Sequence, residues 1–284
     1  MNTDTGRVTP DWLALRESAD AAARAPELLG PLRAYLANAP RGKRLLIRDL
    51  GCGTGSMGRW LSTRLAGEQR WIMHDRDTGL LDIAVASMTR PAADGSPVMV
   101  VPKQSDVTLL RADDLAGTSL VTASALLDIL TFDEVDELAE ACVAARCAAL
   151  IVLSVVGKVD ITPAEPLDAE INAAFNAHQR RVVAGRRLLG PTAVDAMAVA
   201  FERRGATVLD CPSPWQLGRD QSSLTAEWLH GWVDAACAQR PGIAGQAQAY
   251  LRRRLAECAA GRLRVVVHHR DLLAFPPPID GVAR

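Results

Sequence analysis

Between an apolar run (Leu45, Leu46, Ile47) and an amphipathic one (Met57, Trp60, Leu61, Leu65), the chain reads Asp49-Leu50-Gly51-Cys52-Gly53-Thr54-Gly55. The first run predicts a strand and the second predicts a helix, with a glycine turn between them. Glycine lets the backbone turn sharply and come close to a ligand, because no Cβ intervenes. In a parallel α/β sheet such a turn lies outside the carboxyl ends of the strands, where ligands bind. The segment thus constrains both the fold and the place where function resides.

The rest of the chain continues the alternation. Strands are predicted at about 44–50, 70–75, 98–101 (ending near Asp106), 120–124, 149–155, 206–209 and 263–269. The fifth is a continuous apolar run, as expected of a strand buried on both faces. Thr9-Pro10-Asp11 has the hydroxyl, proline and acid of a helix start, and a helix is expected to about Ala25 with a second over 27–39. Further helices are predicted over 78–88, from the capping box Thr131-Phe132-Asp133-Glu134 to about Ala145, and over 191–204. Strand–helix alternation implies an α/β, doubly wound, mostly parallel sheet with helices on both faces. Segments 157–190 and 218–261 exceed ordinary connections and are expected to form helical cap insertions over the ligand face. The expected organisation is a helical lead-in over 1–43 and one α/β domain over 44–284.

Two ligands compete for the glycine turn. Gly53-Thr54-Gly55-Ser56-Met57-Gly58 fits the dinucleotide pattern, with Asp75 downstream for a ribose. Asp49 discriminates between them. A carboxylate at the strand end would repel a pyrophosphate and attract a cation. Asp49 to Gly55 closely resembles the first motif of the class I, Rossmann-like, S-adenosylmethionine-dependent methyltransferases. The resemblance implies seven strands, the last antiparallel and inserted beside the sixth. It implies that Asp49 faces the methionine ammonium of the cofactor, and that Gly51, Gly53 and Gly55, with Cys52 among them, make room for it. It further implies that Asp75 bridges the ribose hydroxyls, with Asp77 as a rival. Asp106 would accept from the adenine amino group and Val107 would offer its amide, with Asp113 and Asp114 as rivals. Ser124, at the end of strand four, would lie near the transferable methyl. The chain lacks the Asn/Asp-Pro-Pro-Tyr/Phe signature of base N-methylation there and reads Ala123-Ser124-Ala125-Leu126-Leu127-Asp128 instead.

Composition narrows the partner. The chain has 284 residues, 49% of them hydrophobic, and a net charge of −1 from 32 basic and 33 acidic residues. That balance argues against an extended nucleic-acid surface. The six cysteines form no C-x-x-C pair, so no metal site is indicated. The start of the chain is polar and then amphipathic, and no run reaches transmembrane length. A cytoplasmic protein with no membrane partner is expected, acting on a small-molecule acceptor. The oligomeric state is left open.

Catalytic candidates are fewer. Asp128 could contact the acceptor or the cofactor, or could cap nearby backbone. His178 and His230 fall on the two insertions, and a histidine of near-neutral pKa suits removal of a proton from a hydroxyl acceptor. His268 and His269 read as structural. Arg16, Asp20 and Arg24 share one face of the first helix, so Arg24 could grip the cofactor carboxylate or join solvent-facing ion pairs. Arg180, Arg181, Arg186 and Arg187 read as a solvated face or an anion clamp, and Arg252 to Arg254 as surface. Trp215, Trp228 and Trp232 could wall an acceptor pocket or pack a cap core. The favoured activity is methyl transfer from S-adenosylmethionine to an oxygen or nitrogen of a small molecule. The alternatives are RNA or protein methylation, NAD(P)-dependent oxidoreduction, and a non-catalytic partner of the same fold.

Overall fold

In a computed structural model, which describes residues 8–37 and 44–278, the central strand is β1 (Leu45–Leu50). It pairs in parallel with β2 (Gln69–Asp75) on one side and β4 (Leu120–Ser124) on the other. β3 (Val98–Gln104) extends the sheet beyond β2, and β5 (Ala148–Thr162) extends it beyond β4, both in parallel. The terminal strand β10 (Arg264–Phe275) inserts antiparallel between β5 and β8 (Thr207–Pro212). The order is β3-β2-β1-β4-β5-β10-β8, with an eighth strand, β9 (Trp215–Leu217), paired to the first part of β10. This is the α/β, mostly parallel arrangement with an antiparallel final strand that the sequence leads one to expect.

Helices cover both faces. α5 (Phe132–Ala144), which opens on the Thr131–Glu134 capping box, and α7 (Ala193–Glu202) bury one side of the sheet around Val135, Leu138, Met197 and Phe201. On the other side lie α2 (Leu29–Ala37), α3 (Ser56–Ser62) and α4 (Thr78–Ser87), around Leu32, Leu61, Trp71 and Met73. A third core stands apart from these. It unites α1 (Pro10–Ala23) with α6 (Leu167–Gln179), α8 (Ser222–Gln239) and α9 (Ala244–Ala259) around Trp12, Ile171, Trp215, Trp232 and Tyr250. The two insertions and the first helix therefore share one apolar centre.

Several boundaries are corrected. β5 runs on to Thr162, so residues 157–162 are strand and the first insertion begins after them. Residues 159–162 pair with residues 264–267 of β10, which means the expected last strand at 263–269 is mostly the cap portion of a longer one. The stretch beside β8 is residues 270–275. The apolar run ends before Gly157 and Lys158, where the strand leaves the buried sheet, so the strand outlasts its hydrophobic signal. The second helix opens with a 3-10 turn at Pro26–Leu28. Residues 1–7, 38–43 and 279–284, which include the ends of the expected lead-in, lie outside the described residues.

One carboxylate ties these parts together. Leu153 takes a left-handed conformation (φ +57°) just past the end of β4's pairing, which turns its N–H away from the ladder. Asp271 accepts that N–H at 2.7 Å and the Ala25 N–H, at the end of the first helix, at 2.8 Å. The lead-in is thereby pinned to the middle of the sheet.

Candidate active site

The glycine turn follows β1 as expected. Gly51, Gly53 and Gly55 all have positive φ, and the turn is held by Cys52 N–H to the His74 carbonyl at 2.9 Å. A Cβ on Gly53 would stand 2.9 Å from Leu13, and one on Gly55 would stand 3.2 Å from the Ala84 backbone. The first helix thus lies directly over the turn. Arg59 of α3 reinforces this by pairing with Glu17 of α1 while donating to the Thr54 carbonyl. Cys52 is buried, and that burial raises its thiol pKa, so it is an uncharged lining group.

Asp49 is buried beneath the turn. Its Oδ1 accepts from the Thr122 hydroxyl at 2.7 Å, and its Oδ2 has no partner among the described residues. Burial lifts its pKa to about 7, against the lowering effects of Thr122 and Arg24. Arg24 is buried as well, at 2% exposure, with its guanidinium 5.4 Å from the Trp60 ring. It donates from Nη2 to Ser56 at 3.1 Å and to Ser124 at 3.5 Å, while Nε and Nη1 have no partner among the described residues. Burial pulls its pKa down against the attraction of Asp20, Asp49 and Asp271. Of the two readings of Arg24, the solvent-facing pair is excluded by this burial. Arg16 meets Asp20 in a two-point pair at 2.9 and 3.1 Å, and Trp215 donates to Asp20 as well.

Asp75 ends β2. Its Oδ2 accepts the Gly53 N–H at 2.9 Å and its Oδ1 accepts the Asp77 N–H at 3.0 Å. A carboxylate has about four acceptor positions, so one remains on each oxygen for a hydroxyl. Asp77 caps α4 through Gly79 and Leu80. Asp106 caps the 3-10 turn Val107–Leu109 through Thr108 and pairs with Arg76 at 2.6 Å. Burial opposes its ionisation, but those partners prevail and hold its pKa near about 2. Most of its acceptor capacity is already used. Val107 is half-buried behind it. Asp113 and Asp114 belong to a separate 3-10 turn.

Ser124 and Asp128 bracket the turn after β4. Leu126 between them packs where a Gly51 Cβ would be. Asp128 is half-buried and accepts from Gln179 at 3.4 Å, and burial raises its pKa while Arg16 and Arg181 draw it down. The two insertion histidines differ in exposure. His230 is exposed on α8, away from the apolar centre. His178 is half-buried, its pKa lowered by burial and then by Arg181. It follows Ile171 and Ala174 on the core-facing stripe of α6, whereas Asn172, Asn176 and Gln179 share the other stripe.

Other sequence expectations resolve differently. Trp228 and Trp232 stack at 5.0 Å and pack against the cap core. Arg254, expected at the surface, is fully buried. Arg186 pairs with Glu134 at the end of a small hairpin, β6 (Val182–Val183) with β7 (Arg186–Arg187). His269, read as structural, is buried with its ring 5.4 Å from Trp215 and its Nδ1 unpartnered. Burial and then Arg16 lower its pKa to about 3, so the ring is neutral. The amide side chains of α6 were missed too. An unbroken line of Asn and Gln on one helix stripe was the available signal.

No protein-family model matches the chain, and none of the curated proteins matches it. Among solved structures, it is similar to the cyclopropane synthase MmaA2 from Mycobacterium tuberculosis at 12% identity, covering 94% of each chain, with a TM-score of 0.48. It is also similar to an S-adenosylmethionine-dependent methyltransferase from Thiobacillus denitrificans in complex with S-adenosylhomocysteine. There the identity is 13%, the coverage 95% of this chain and 99% of that one, and the TM-score 0.45. The strand order of the present chain, with its final strand inserted antiparallel beside β8, is the arrangement that the resemblance of residues 49–55 leads one to expect. Among the described residues no helix is long and apolar enough to cross a membrane.

Proposed function

We propose that this chain is an enzyme that transfers a methyl group from S-adenosylmethionine to an oxygen or nitrogen of a small-molecule acceptor. One observation carries the reading. Beside the glycine turn, a buried carboxylate oxygen (Asp49 Oδ2) and two buried guanidinium nitrogens (Arg24 Nε and Nη1) lack partners, and the two groups attract each other. An amino acid presents an ammonium and a carboxylate on one carbon and would satisfy both. Unpartnered buried polar atoms are rare because each is costly. A zwitterionic end fits this pair, whereas a pyrophosphate would face Asp49 with like charge.

The remaining residues fit the rest of the cofactor. Asp75 retains one acceptor position per oxygen for two ribose hydroxyls. Asp106 retains one for the adenine amino group, beside Val107. The bound cofactor supplies a methyl activated by a sulfonium. The protein then has to align the acceptor and exclude water, and alignment alone accelerates such displacements strongly. Asp128, at the end of β4 and raised in pKa by burial, is the group we assign to take the acceptor's proton. A cytoplasmic setting accords with six cysteines that are all unpaired.

Calorimetric titration with S-adenosylhomocysteine and with NAD tests the reading. Micromolar binding of the former and none of the latter is expected. Binding of NAD alone would replace methyl transfer with oxidoreduction. Label from methyl-tritiated cofactor should then appear in small molecules of a metabolite extract, and its appearance in RNA or protein instead would move the acceptor class.

A further inference from the structure

α6 and the adjoining bend of β5 carry a group of buried oxygens that lack partners among the described residues. Asn172 and Asn176 both donate their amide N–H groups to the Gly157 carbonyl, at 3.0 and 2.7 Å. Gly157 has φ +74°, and a Cβ there would stand 2.9 Å from Pro191 and 3.0 Å from the Asn176 amide, so the bend admits only glycine. With their N–H groups so engaged, the Oδ1 atoms of both asparagines are buried without partners among the described residues. Gln179, on the same stripe, reaches Asp128 with its Nε2 and likewise leaves its Oε1 buried and unpartnered. Three residues before Gly157, the Ser154 hydroxyl is also buried and unpartnered. Asp128 links this stripe to the turn after β4, four residues beyond the Ser124 that Arg24 contacts.

These side chains thus offer acceptors, and the two arginines that act on Asp128 are engaged elsewhere. Arg16, which acts on Asp128 through space, is held in a two-point pair by Asp20, and Arg181 is turned to the His178 carbonyl. An anionic acceptor would find carboxylate and amide oxygens facing it. A wholly apolar acceptor would leave those oxygens unpaired, which selects strongly against it. We infer that Asn172, Asn176, Gln179, Ser154 and Asp128 form an acceptor subsite for a small molecule rich in amine and hydroxyl donors, neutral or cationic rather than phosphorylated or fatty. This inference rests on the methyl-transfer reading.

Two measurements test it. The first needs no acceptor. In Asn172→Leu one buried unpartnered oxygen is removed while Asn176 still satisfies Gly157, so the melting temperature of the unliganded protein should rise by about 3 °C. Gln179→Leu should raise it similarly. A fall in both would mean that these amides serve the fold, and would overturn the inference. The second uses protein saturated with S-adenosylhomocysteine and four probes, glucosamine, spermidine, glucose 6-phosphate and laurate, read by saturation-transfer NMR. Glucosamine or spermidine should bind, Gln179→Leu should weaken that binding about tenfold, and the phosphate and the fatty acid should not bind. Failure of both donor-bearing probes, tighter binding of either control, or indifference to Gln179→Leu and Asn172→Leu alike would overturn it. Failure of S-adenosylhomocysteine to bind at all would instead remove the underlying reading, and this inference with it.

Discussion

Arg24 and Arg254 are both buried, in opposite electrostatic surroundings. Arg254 of α9 holds Asp168 through both carboxylate oxygens at 2.7 and 2.8 Å, Glu257 at 2.9 Å and the Pro163 carbonyl at 2.7 Å. Its Nε lies 3.6 Å from Glu165. Burial opposes its charge, but those partners prevail and raise its pKa. Arg24 has two hydroxyls for partners, two idle nitrogens and a lowered pKa. The first arrangement satisfies both terminal nitrogens with carboxylates and a carbonyl, leaves only Nε without a hydrogen bond among the described residues, and joins α6 to α9. The second is incomplete in the protein alone. A buried charge left short of partners stands at a cost to the fold, and the account of function rests on the ligand that relieves it.

The comparison can be broken from either side. The largest expected effect is on stability. Arg254→Leu strands Asp168 and Glu257, which are partly exposed, and should cost about 2–4 kcal/mol in urea denaturation. A loss below about 0.5 kcal/mol would mean that the network is a surface feature of little weight. A smaller effect concerns pH. Asp49 titrates near about 7 in the unliganded chain, and its ionised form is the one that meets an ammonium. Affinity for S-adenosylhomocysteine should therefore be level above pH 7 and fall roughly tenfold per unit as pH drops below it. The sign for folding is the reverse. A carboxyl whose folded pKa exceeds its unfolded value near 3.8 holds an extra proton between the two, so its contribution to stability declines from about pH 4 to pH 7. A pH-independent affinity would mean that Asp49 does not face the ammonium.

The glycine turn and the acids near it were legible in the sequence because their logic is local. Strand, turn and helix follow one another within Leu45–Ser62, Asp75 closes β2, and Asp106 stands two residues after the end of β3. The exits from the sheet were legible less well. β5 and β10 continue beyond it as a pair stabilised by β9 and the cap; the polar outer residues of β5 read as loop, whereas in β10 the outer residues read as strand and the inner ones, 270–275, did not. Burial set by distant elements was not legible at all. Three of the groups around Arg254, on Pro163, Glu165 and Asp168, lie 86 or more positions earlier, and the His269 ring lies against Trp215. Helical spacing placed Arg16, Asp20 and Arg24 on one face, but only packing decides that this face looks inward. The same limit explains why His230 was a reasonable candidate and faces outward.

The central claim is that Arg24 waits for a carboxylate. Calorimetric titration of S-adenosylhomocysteine into Arg24→Leu, compared with the unchanged protein at pH 8, tests it most directly. The account predicts an affinity reduced roughly 100-fold, with folding stability unchanged or slightly raised. Full affinity in a stably folded Arg24→Leu would contradict it.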